Sequence, residues 1–198
     1  MGLNIEYIKG QTPLDEDEKE GLLIKTISNR GELDEFEQAN IQQAIEWTMK
    51  NKFTKDQILT EEFLLLVHKK MLSEVWEWAG NKRKSNKNIG VDKYQISTEL
   101  KILLDDCKYW IENNTYNQDE IVIRFSHRLV KIHMFPNGNG RHSRLIADIL
   151  ISNIFNKPVF TWGKSDLSNN NASRKEYLKA IYSADKGDLQ SLIRFSRK

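Results

Sequence analysis

Residues 131–144 constrain the fold most strongly, because two apolar helical patterns meet there at a glycine-rich turn. The stretch reads KIHMFPNGNGRHSR. Apolar residues recur with helical spacing on both sides of it, at Ile121, Phe125, Leu129 and Ile132 before the turn and at Leu145, Ile146, Ile149, Leu150 and Ile154 after it. This spacing predicts a helix on each side, and the second is apolar enough to run through the centre of a domain.

The chemistry of the turn indicates a phosphate site. Gly138 and Gly140 allow backbone conformations that a β-carbon forbids, so their amides can form a concave anion nest. The turn opens into a helix, whose first amides lack partners and whose dipole favours negative charge. Arg141 and Arg144 share a helix face, and each can offer a fork of donors to phosphate oxygens. His133, at the end of the preceding helix, is placed to take a proton from an incoming nucleophile.

The stretch resembles the Fic motif, H-x-F-x-(D/E)-G-N-G-R-x-x-R. Seven residues match its fixed positions: His133, Phe135, Gly138, Asn139, Gly140, Arg141 and Arg144. A match at seven positions in one register is far more specific than a single G-x-G. Asn137 departs from the motif, because the family usually has there an acidic residue that holds Mg²⁺ together with the phosphates. A neutral amide still offers an oxygen to a hard cation, but without the charge.

The resemblance implies an all-α fold, a Fic-type helical bundle with a small β-hairpin flap next to the active-site loop. It also implies a reaction in which AMP moves from ATP to a hydroxyl side chain of a target protein, with release of pyrophosphate. The target would present a Ser, Thr or Tyr hydroxyl and dock on the flap as an added strand. The hairpin is expected at 81–96, where short extended pieces surround Gly90.

Roles for single residues follow from the same resemblance. His133 would be the general base for the target hydroxyl, and its ordinary pKa near 6.5 suits work around neutral pH. The residues that would bind the phosphates of ATP are Gly138, Asn139, Gly140, Arg141 and Arg144. Of these, Arg144 would face the γ-phosphate, and Asn137 would contact Mg²⁺ weakly. Phe135 is expected to be a core residue that anchors the loop.

The N-terminal part of the chain resembles an inhibitory helix found in many Fic proteins, (S/T)-x-x-x-E-(G/N). The glutamate of that helix pairs with the second motif arginine and blocks the γ-phosphate. Glu20, followed by a glycine, supplies the last two positions here, whereas Glu16 stands where Ser or Thr is usual. Ser28 and Glu32 form a rival match that fails at its final position. Glu20 also belongs to a run of acids that can simply form a solvated face.

The helical patterns divide the chain into an N-terminal helical arm, residues 1–59, and a Fic domain with C-terminal helices, residues 60–198. Thr12 and Pro13 before a run of acids predict a helix start, so the inhibitory helix is expected at about 13–24. Further helices are expected at 33–50, from Thr60 to before Trp76, from the cap at 97–99 to 113, at 119–132, at 140–155, around 177–187 and at 189–195.

Composition narrows the class of protein. Thirty basic and 28 acidic side chains leave a net charge of +2, which is no global nucleic-acid footprint. A single cysteine excludes an internal disulfide and fits a reducing compartment. No signal peptide and no run of 18 apolar residues occurs, so we expect a cytoplasmic protein without a membrane span.

More narrowly, the whole chain resembles the bacterial Fic subfamily known as "mobile mystery protein B". The stretches that carry this likeness include RGELDEFEQANI, WEWAG and FPNGNGRH. The subfamily name implies mobile elements and a partner protein of the helix-turn-helix type encoded nearby. Asn137 is then compatible with a working subfamily member.

Three other functions remain open at this point. The Fic fold could transfer another phosphate-bearing moiety, because the motif does not read the base. The chain could be a nucleotide-binding regulatory module whose catalysis is weakened by Asn137. The basic run from Lys82 to Lys87 could bind nucleic acid, although a solvated surface is the simpler interpretation.

Overall fold

Helices follow one another along residues 12–164, 167 and 172–198, which are the residues that the computed structural model describes. They are α1 (Glu16–Glu20), α2 (Arg30–Lys50), α3 (Lys55–Ile58), α4 (Glu61–Leu72), α5 (Ile96–Glu112), α6 (Gln118–Ile132), α7 (Asn139–Asn153), a 3₁₀ turn (Trp162–Lys164), α8 (Ala172–Asp185) and α9 (Gln190–Ser196). Within these residues, β pairing is limited to an isolated antiparallel bridge between Leu22 and Trp76. The mostly helical fold class is therefore confirmed.

Some sequence predictions fall outside these ranges. The first eleven residues of the predicted N-terminal arm lie outside the described residues, as do residues 165–166 and 168–171. No helix in the described ranges is long and apolar enough to cross a membrane.

Helices α6 and α7 lie at the centre of the core and hold the motif between them. α6 packs against α5 and α7, and α7 also packs against α4, which in turn packs against α2. The inward face of α7 consists of buried aliphatic side chains, Leu145, Ile146, Ala147, Ile149, Leu150 and Ile151. Full burial of one large aliphatic side chain contributes about 1.5–3 kcal/mol. The motif loop is thus fixed between two helices that pack directly against each other.

Side-chain caps set the starts of α2, α3, α4 and α6. Thr60 caps α4 as predicted, because its hydroxyl accepts a hydrogen bond from the Phe63 amide at 3.2 Å. The cap predicted for α5 at 97–99 is wrong, since that helix begins at Ile96. Thr12 is not a cap either. The first helix is α1, and its capping box is formed by Asp15 and Glu18.

The β-hairpin predicted at 81–96 is not confirmed. Residues 81–95, named here the site loop, form turns and irregular backbone without strand pairing. Their backbone bonds instead to the connection between α6 and α7. The Arg83 amide donates to the Met134 carbonyl at 2.9 Å, and the Val91 amide donates to the Ile132 carbonyl at 3.4 Å.

The Arg83 side chain replaces strand pairing inside the site loop. Only 3% of Arg83 is exposed, although it is one of the residues of the basic run. Its guanidinium donates to the carbonyls of Ser85, at 2.7 Å, and Val91. It also donates through Nε to the His133 carbonyl at 2.6 Å. One buried cation therefore ties both arms of the loop to the motif.

Candidate active site

His133 ends α6 and lies under the site loop. It adopts the left-handed conformation, with φ 56° and ψ 57°, and only 5% of the residue is exposed. Gly90 lies directly against it, because a β-carbon on Gly90 would come within 2.7 Å of the His133 Cβ. The glycine has φ +104° and so combines a close approach with a conformation that other residues avoid.

The hydrogen bonds of His133 determine which ring nitrogen carries the proton. Nδ1 lies 3.4 Å from the Val130 carbonyl, which can only accept. Nε2 lies 2.8 Å from the Thr12 hydroxyl. The neutral ring with its proton on Nδ1 satisfies both contacts and leaves Nε2 as an acceptor. Burial lowers the pKa of His133 to about 4, which keeps the ring neutral at physiological pH.

Asn139 closes the motif loop on itself. Its side-chain oxygen accepts from the Phe135 amide at 2.9 Å, and its side-chain nitrogen donates to the Phe135 carbonyl at 2.8 Å. Only 4% of Asn139 is exposed. The sequence placed this side chain among the phosphate ligands, but in the structure both of its polar atoms are used within the loop. Its backbone amide belongs to the first residue of α7.

The amides at the start of α7 lie where the sequence predicts an anion nest. Gly138 is in the left-handed region at φ 80°, and its amide donates to the Asn137 side chain at 2.6 Å. The amides of residues 139–141 have no acceptor among the described residues. They lie at the N-terminus of a helix of 15 residues, where anions are favoured.

Asn137 has both side-chain atoms engaged. Its oxygen accepts from the Gly138 amide, and its nitrogen donates to the Thr12 carbonyl at 3.4 Å. Nowhere in the described ranges does a group of three or more His, Cys, Asp or Glu side chains come close enough to hold a metal ion. Mg²⁺ prefers carboxylate and phosphate oxygens in an octahedral shell. The residues present therefore do not form a magnesium site by themselves.

Arg141 is held by a carboxylate that the sequence interpretation did not include. Its guanidinium lies 2.5 Å from the carboxylate of Glu37 in α2. Glu37 is 3% exposed. The second oxygen of Glu37 accepts from the Trp76 indole at 2.6 Å. A quarter of the Arg141 side chain remains exposed, so it can still reach an anion.

Arg144, one helical turn after Arg141, lies over the Tyr177 ring at 5.2 Å from its centroid. The two arginines line one cleft between α2 and α7, with a volume of about 490 Å³. The cleft is also lined by Asp148, whose pKa is raised to about 7 by burial. The cleft is within the size range of small-ligand sites.

Glu20 does not pair with Arg144 in this structure. It is exposed at the end of α1, and its carboxylate makes no hydrogen bond or ion pair within the described chain. The reason is the position of α1, which is held against the site loop by Lys87. That ammonium lies 2.5 Å from Glu18 and 2.9 Å from Asp15. The rival Glu32 accepts from the Ser28 amide at 2.8 Å, beside the cap of α2.

His68 fixes the other side of the motif loop and was not identified from the sequence. Its Nδ1 accepts from the Gly80 amide at 2.9 Å, so its Nε2 donates to the Asn137 carbonyl at 3.0 Å. Its ring stacks on Phe135 with centroids 3.5 Å apart. Phe135 is fully buried, in agreement with its expected role as an anchor.

A signal for two of the missed residues is present in the helical periodicity. Glu37 occupies the buried stripe of α2, four residues after Leu33 and seven before Ala44. His68 occupies the apolar face of α4, four residues after Leu64. A polar side chain at an inward position needs a buried partner, and this requirement points to a role at a site.

The part of the chain that carries this geometry matches a known protein family. Residues 58–151 match the sequence model of the Fic/DOC family. The match includes α4, the site loop, α5, all of α6 and nearly all of α7. The chain therefore carries a domain of the Fic/DOC family, and the resemblance stated from the motif is confirmed.

Curated relatives share this domain at low identity. The chain is 25% identical over 145 residues to the protein adenylyltransferase Fic of Aedes aegypti, which covers 71% of this chain and 28% of the relative. It is 25% identical over 141 residues to the protein of the same name from Drosophila mojavensis, covering 69% and 26%. The chain thus spans about a quarter of the length of these relatives.

Solved structures share the fold. The N-terminal FIC domain of Bep8 from Bartonella sp. 1-1C superposes with a TM-score of 0.68 at 16% identity, covering 88% of this chain and 89% of that one. BepC from Bartonella tribocorum, solved with bound AMPPNP, gives 0.63 at 19% identity, covering 96% and 93%. Fic-1 from C. elegans gives 0.64 at 19% identity, covering 97% and 50%.

Proposed function

We propose that this chain is a Fic-type transferase that moves AMP from ATP to a hydroxyl side chain of a target protein. One observation carries the proposal. Nε2 of His133, the acceptor nitrogen of the assigned tautomer, lies 2.8 Å from a hydroxyl oxygen. The helix that follows His133 begins with the amides of residues 139–141, which have no acceptor within the described part of the chain. A base beside an anion-binding helix terminus is what phosphoryl-group transfer to a hydroxyl requires.

The transfer needs three things from the protein. The target hydroxyl attacks the α-phosphorus of ATP while its proton passes to His133 Nε2, and the bond to the β-phosphate breaks with release of pyrophosphate. The amides of residues 139–141, together with Arg141 and Arg144, hold the phosphates and stabilise the charge that moves onto the leaving group. Positioning of the two reactants supplies a large further share of the rate.

This proposal includes Mg²⁺ only as the ion that usually binds together with ATP. The loop offers the neutral oxygen of Asn137, and that oxygen already accepts from the Gly138 amide. We therefore assign the binding of the phosphates to amides and arginines and derive no step through a protein-bound metal. Asn137 as a weak magnesium contact stays a prediction.

The site loop is the proposed docking place for the target. It lies against His133 through Gly90 and is kept in shape by Arg83. In this proposal a target hydroxyl approaches Nε2 along this loop. Docking as an added strand, the subfamily likeness and a helix-turn-helix partner encoded nearby all stay predictions.

Autoinhibition by the N-terminal arm is a further part of the proposal. The motif match places the brake at Glu20, and its action would require that carboxylate to reach Arg144. A higher rate of labelled-AMP transfer in Glu20→Gly than in Glu16→Gly supports this brake. Equal rates in both variants and the parent contradict it.

A second candidate function is a nucleotide-binding regulatory module with weak turnover. It is favoured by Asn137, because the loop lacks the acidic residue of the family motif and both polar atoms of the amide are engaged. ATP binding without transfer to any hydroxyl separates this candidate from the first. Transfer of a different nucleotide or phosphate-bearing group is distinguished by the mass added to the target.

Nucleic-acid binding by the basic run has little support from the geometry. Arg83 is buried, and Lys82 is paired with Glu61 at 2.6 Å. The Lys87 side chain is 3% exposed and paired with two carboxylates. These cations do not form a continuous solvent-facing patch.

Labelled ATP in a host lysate tests the proposed function. The parent protein is expected to attach label from the α-phosphate to protein, and His133→Ala is expected to lose about 10²–10⁴ in rate because a general base is removed. Nucleotide binding by the variant should remain close to that of the parent. His127→Ala is the matched control, since His127 is on the same helix but pairs with Asp185. Equal transfer by His133→Ala would remove the assigned role of the base.

A further inference from the structure

The hydroxyl that faces His133 belongs to this chain. Thr12 Oγ1 lies 2.8 Å from Nε2, although the two residues are 121 positions apart. Only 5% of Thr12 is exposed. It does not cap α1, since Asp15 is the N-cap of that helix. Among the described residues, the hydrogen-bond partner of the Thr12 hydroxyl is His133.

The direction of this hydrogen bond is fixed by the other ring nitrogen. Because Nδ1 faces the Val130 carbonyl, Nε2 carries no hydrogen and must accept. The Thr12 hydroxyl therefore donates its proton to Nε2. This is the arrangement that a general base needs with the nucleophile it activates.

The backbone around Thr12 is held on both sides of the site. Its carbonyl accepts from the Asn137 side chain at 3.4 Å, on the side of the motif loop. On the side of the site loop, Lys87 donates to the Pro13 carbonyl at 3.4 Å, and the Ser85 hydroxyl donates to Asp15 at 2.5 Å. Residues 12–18 thus lie across the site as a bound peptide segment would, with its hydroxyl at the base.

We propose that Thr12 is an acceptor of the transferred AMP, so that the chain modifies its own N-terminal segment. This proposal rests on the proposed function and adds an acceptor residue to it. The Thr12 oxygen forms a bond to the α-phosphorus of ATP, and the bond from that phosphorus to the β-phosphate oxygen breaks. Pyrophosphate leaves with the electron pair, and the proton of the hydroxyl passes to His133 Nε2 and then to solvent. The product is an O-adenylyl threonine.

Peptide mapping after incubation of the full chain with ATP labelled in its α-phosphate, in the presence of MgCl₂, tests the acceptor. We expect label on the peptide that contains Thr12 in the parent and in Thr12→Ser, which keeps a hydroxyl. Thr12→Val keeps the shape but has no hydroxyl, and it should lose that label. Thr26→Val is the control, because Thr26 is an exposed hydroxyl of the same N-terminal region. The half-time of labelling should not change on dilution, since acceptor and base belong to one chain.

The outcomes test the Thr12 acceptor and the proposed transferase function separately. If the parent labels lysate proteins or other residues of its own chain while Thr12 stays unlabelled, Thr12 is not an acceptor and the transferase proposal stands. A half-time that lengthens in proportion to dilution assigns the hydroxyl to another copy and also overturns the inference. If no variant labels any protein, the proposed function fails, and the acceptor fails with it.

Discussion

The Arg141 guanidinium and the Glu37 carboxylate lie 2.5 Å apart and join α7 to α2 directly beside the motif loop. Glu37 also accepts from Trp76, so the carboxylate is satisfied on both oxygens. Arg141 therefore meets an incoming phosphate with its charge already partly balanced. A nucleotide has to share this arginine with Glu37 or displace it.

Glu37→Gln is expected to tighten ATP binding about tenfold. The amide oxygen still accepts from Trp76, but the negative charge that competes with phosphate for Arg141 is gone. A charge-assisted hydrogen bond contributes about 1.5–3 kcal/mol, and about 1.4 kcal/mol corresponds to a factor of ten. Titration calorimetry with ATP measures the change, and Glu35→Gln, an exposed position on the same helix, is the control. Weaker or unchanged binding would show that Glu37 orients Arg141 rather than competing for it.

The pH dependence of transfer should be flat from neutral pH down to about pH 5, with an acid limb centred near pH 4. The reason is that burial lowers the pKa of His133 to about 4, so the ring is neutral and able to accept a proton over that whole range. Rates of labelled-AMP transfer at several pH values, with circular dichroism at each to confirm folding, check this. An acid limb near pH 6.5 would mean that the histidine is solvated when it works.

Asn137→Asp is expected to lower the Mg²⁺ concentration needed for half-maximal nucleotide binding. A carboxylate adds charge at the position where the motif predicts a contact with Mg²⁺. The readout is a Mg²⁺ titration of ATP binding. Asn113→Asp adds the same charge at the end of α5 and serves as the control. An unchanged midpoint in Asn137→Asp would place this residue away from the metal.

Asp148→Asn is expected to be more stable than the parent at neutral and higher pH. This advantage should be smaller at acid pH. Burial raises the pKa of Asp148 from 3.8 to about 7, so the folded state favours the protonated form. Its contribution to stability is fully present below about pH 4 and is lost as the pH rises through about 7. Asparagine cannot ionise and can still accept from the Phe160 amide, a bond of 3.0 Å in the parent.

Urea unfolding of parent and Asp148→Asn at about pH 5 and about pH 8 measures the effect of Asp148. The advantage of the variant should be larger at the higher pH. Asp17→Asn, at an exposed position of α1, should show no such dependence. A constant difference at both pH values would mean that the Asp148 carboxylate ionises as freely in the folded state as in the unfolded chain.

Features that depend on neighbouring residues were predictable from the sequence. The spacing of apolar residues gave α6 and α7, and the glycines between them gave the loop, because helix periodicity and backbone freedom are local properties. Placement of His133 at the helix end and of the arginines on one face of α7 follows from the same local rules. The motif alone was enough to identify the family.

Tertiary structure decided which residues form pairs across the site. Glu37 and Arg141 are 104 positions apart, Thr12 and His133 are 121 apart, and His68 reaches the loop from 69 positions away. Each pair exists because packing buries two polar groups that must then satisfy one another. The same cause explains why the expected hairpin is absent from residues 81–95. The buried Arg83 donates hydrogen bonds to carbonyls of its own loop and of the motif. No pattern along the chain specifies which partners a buried side chain will contact.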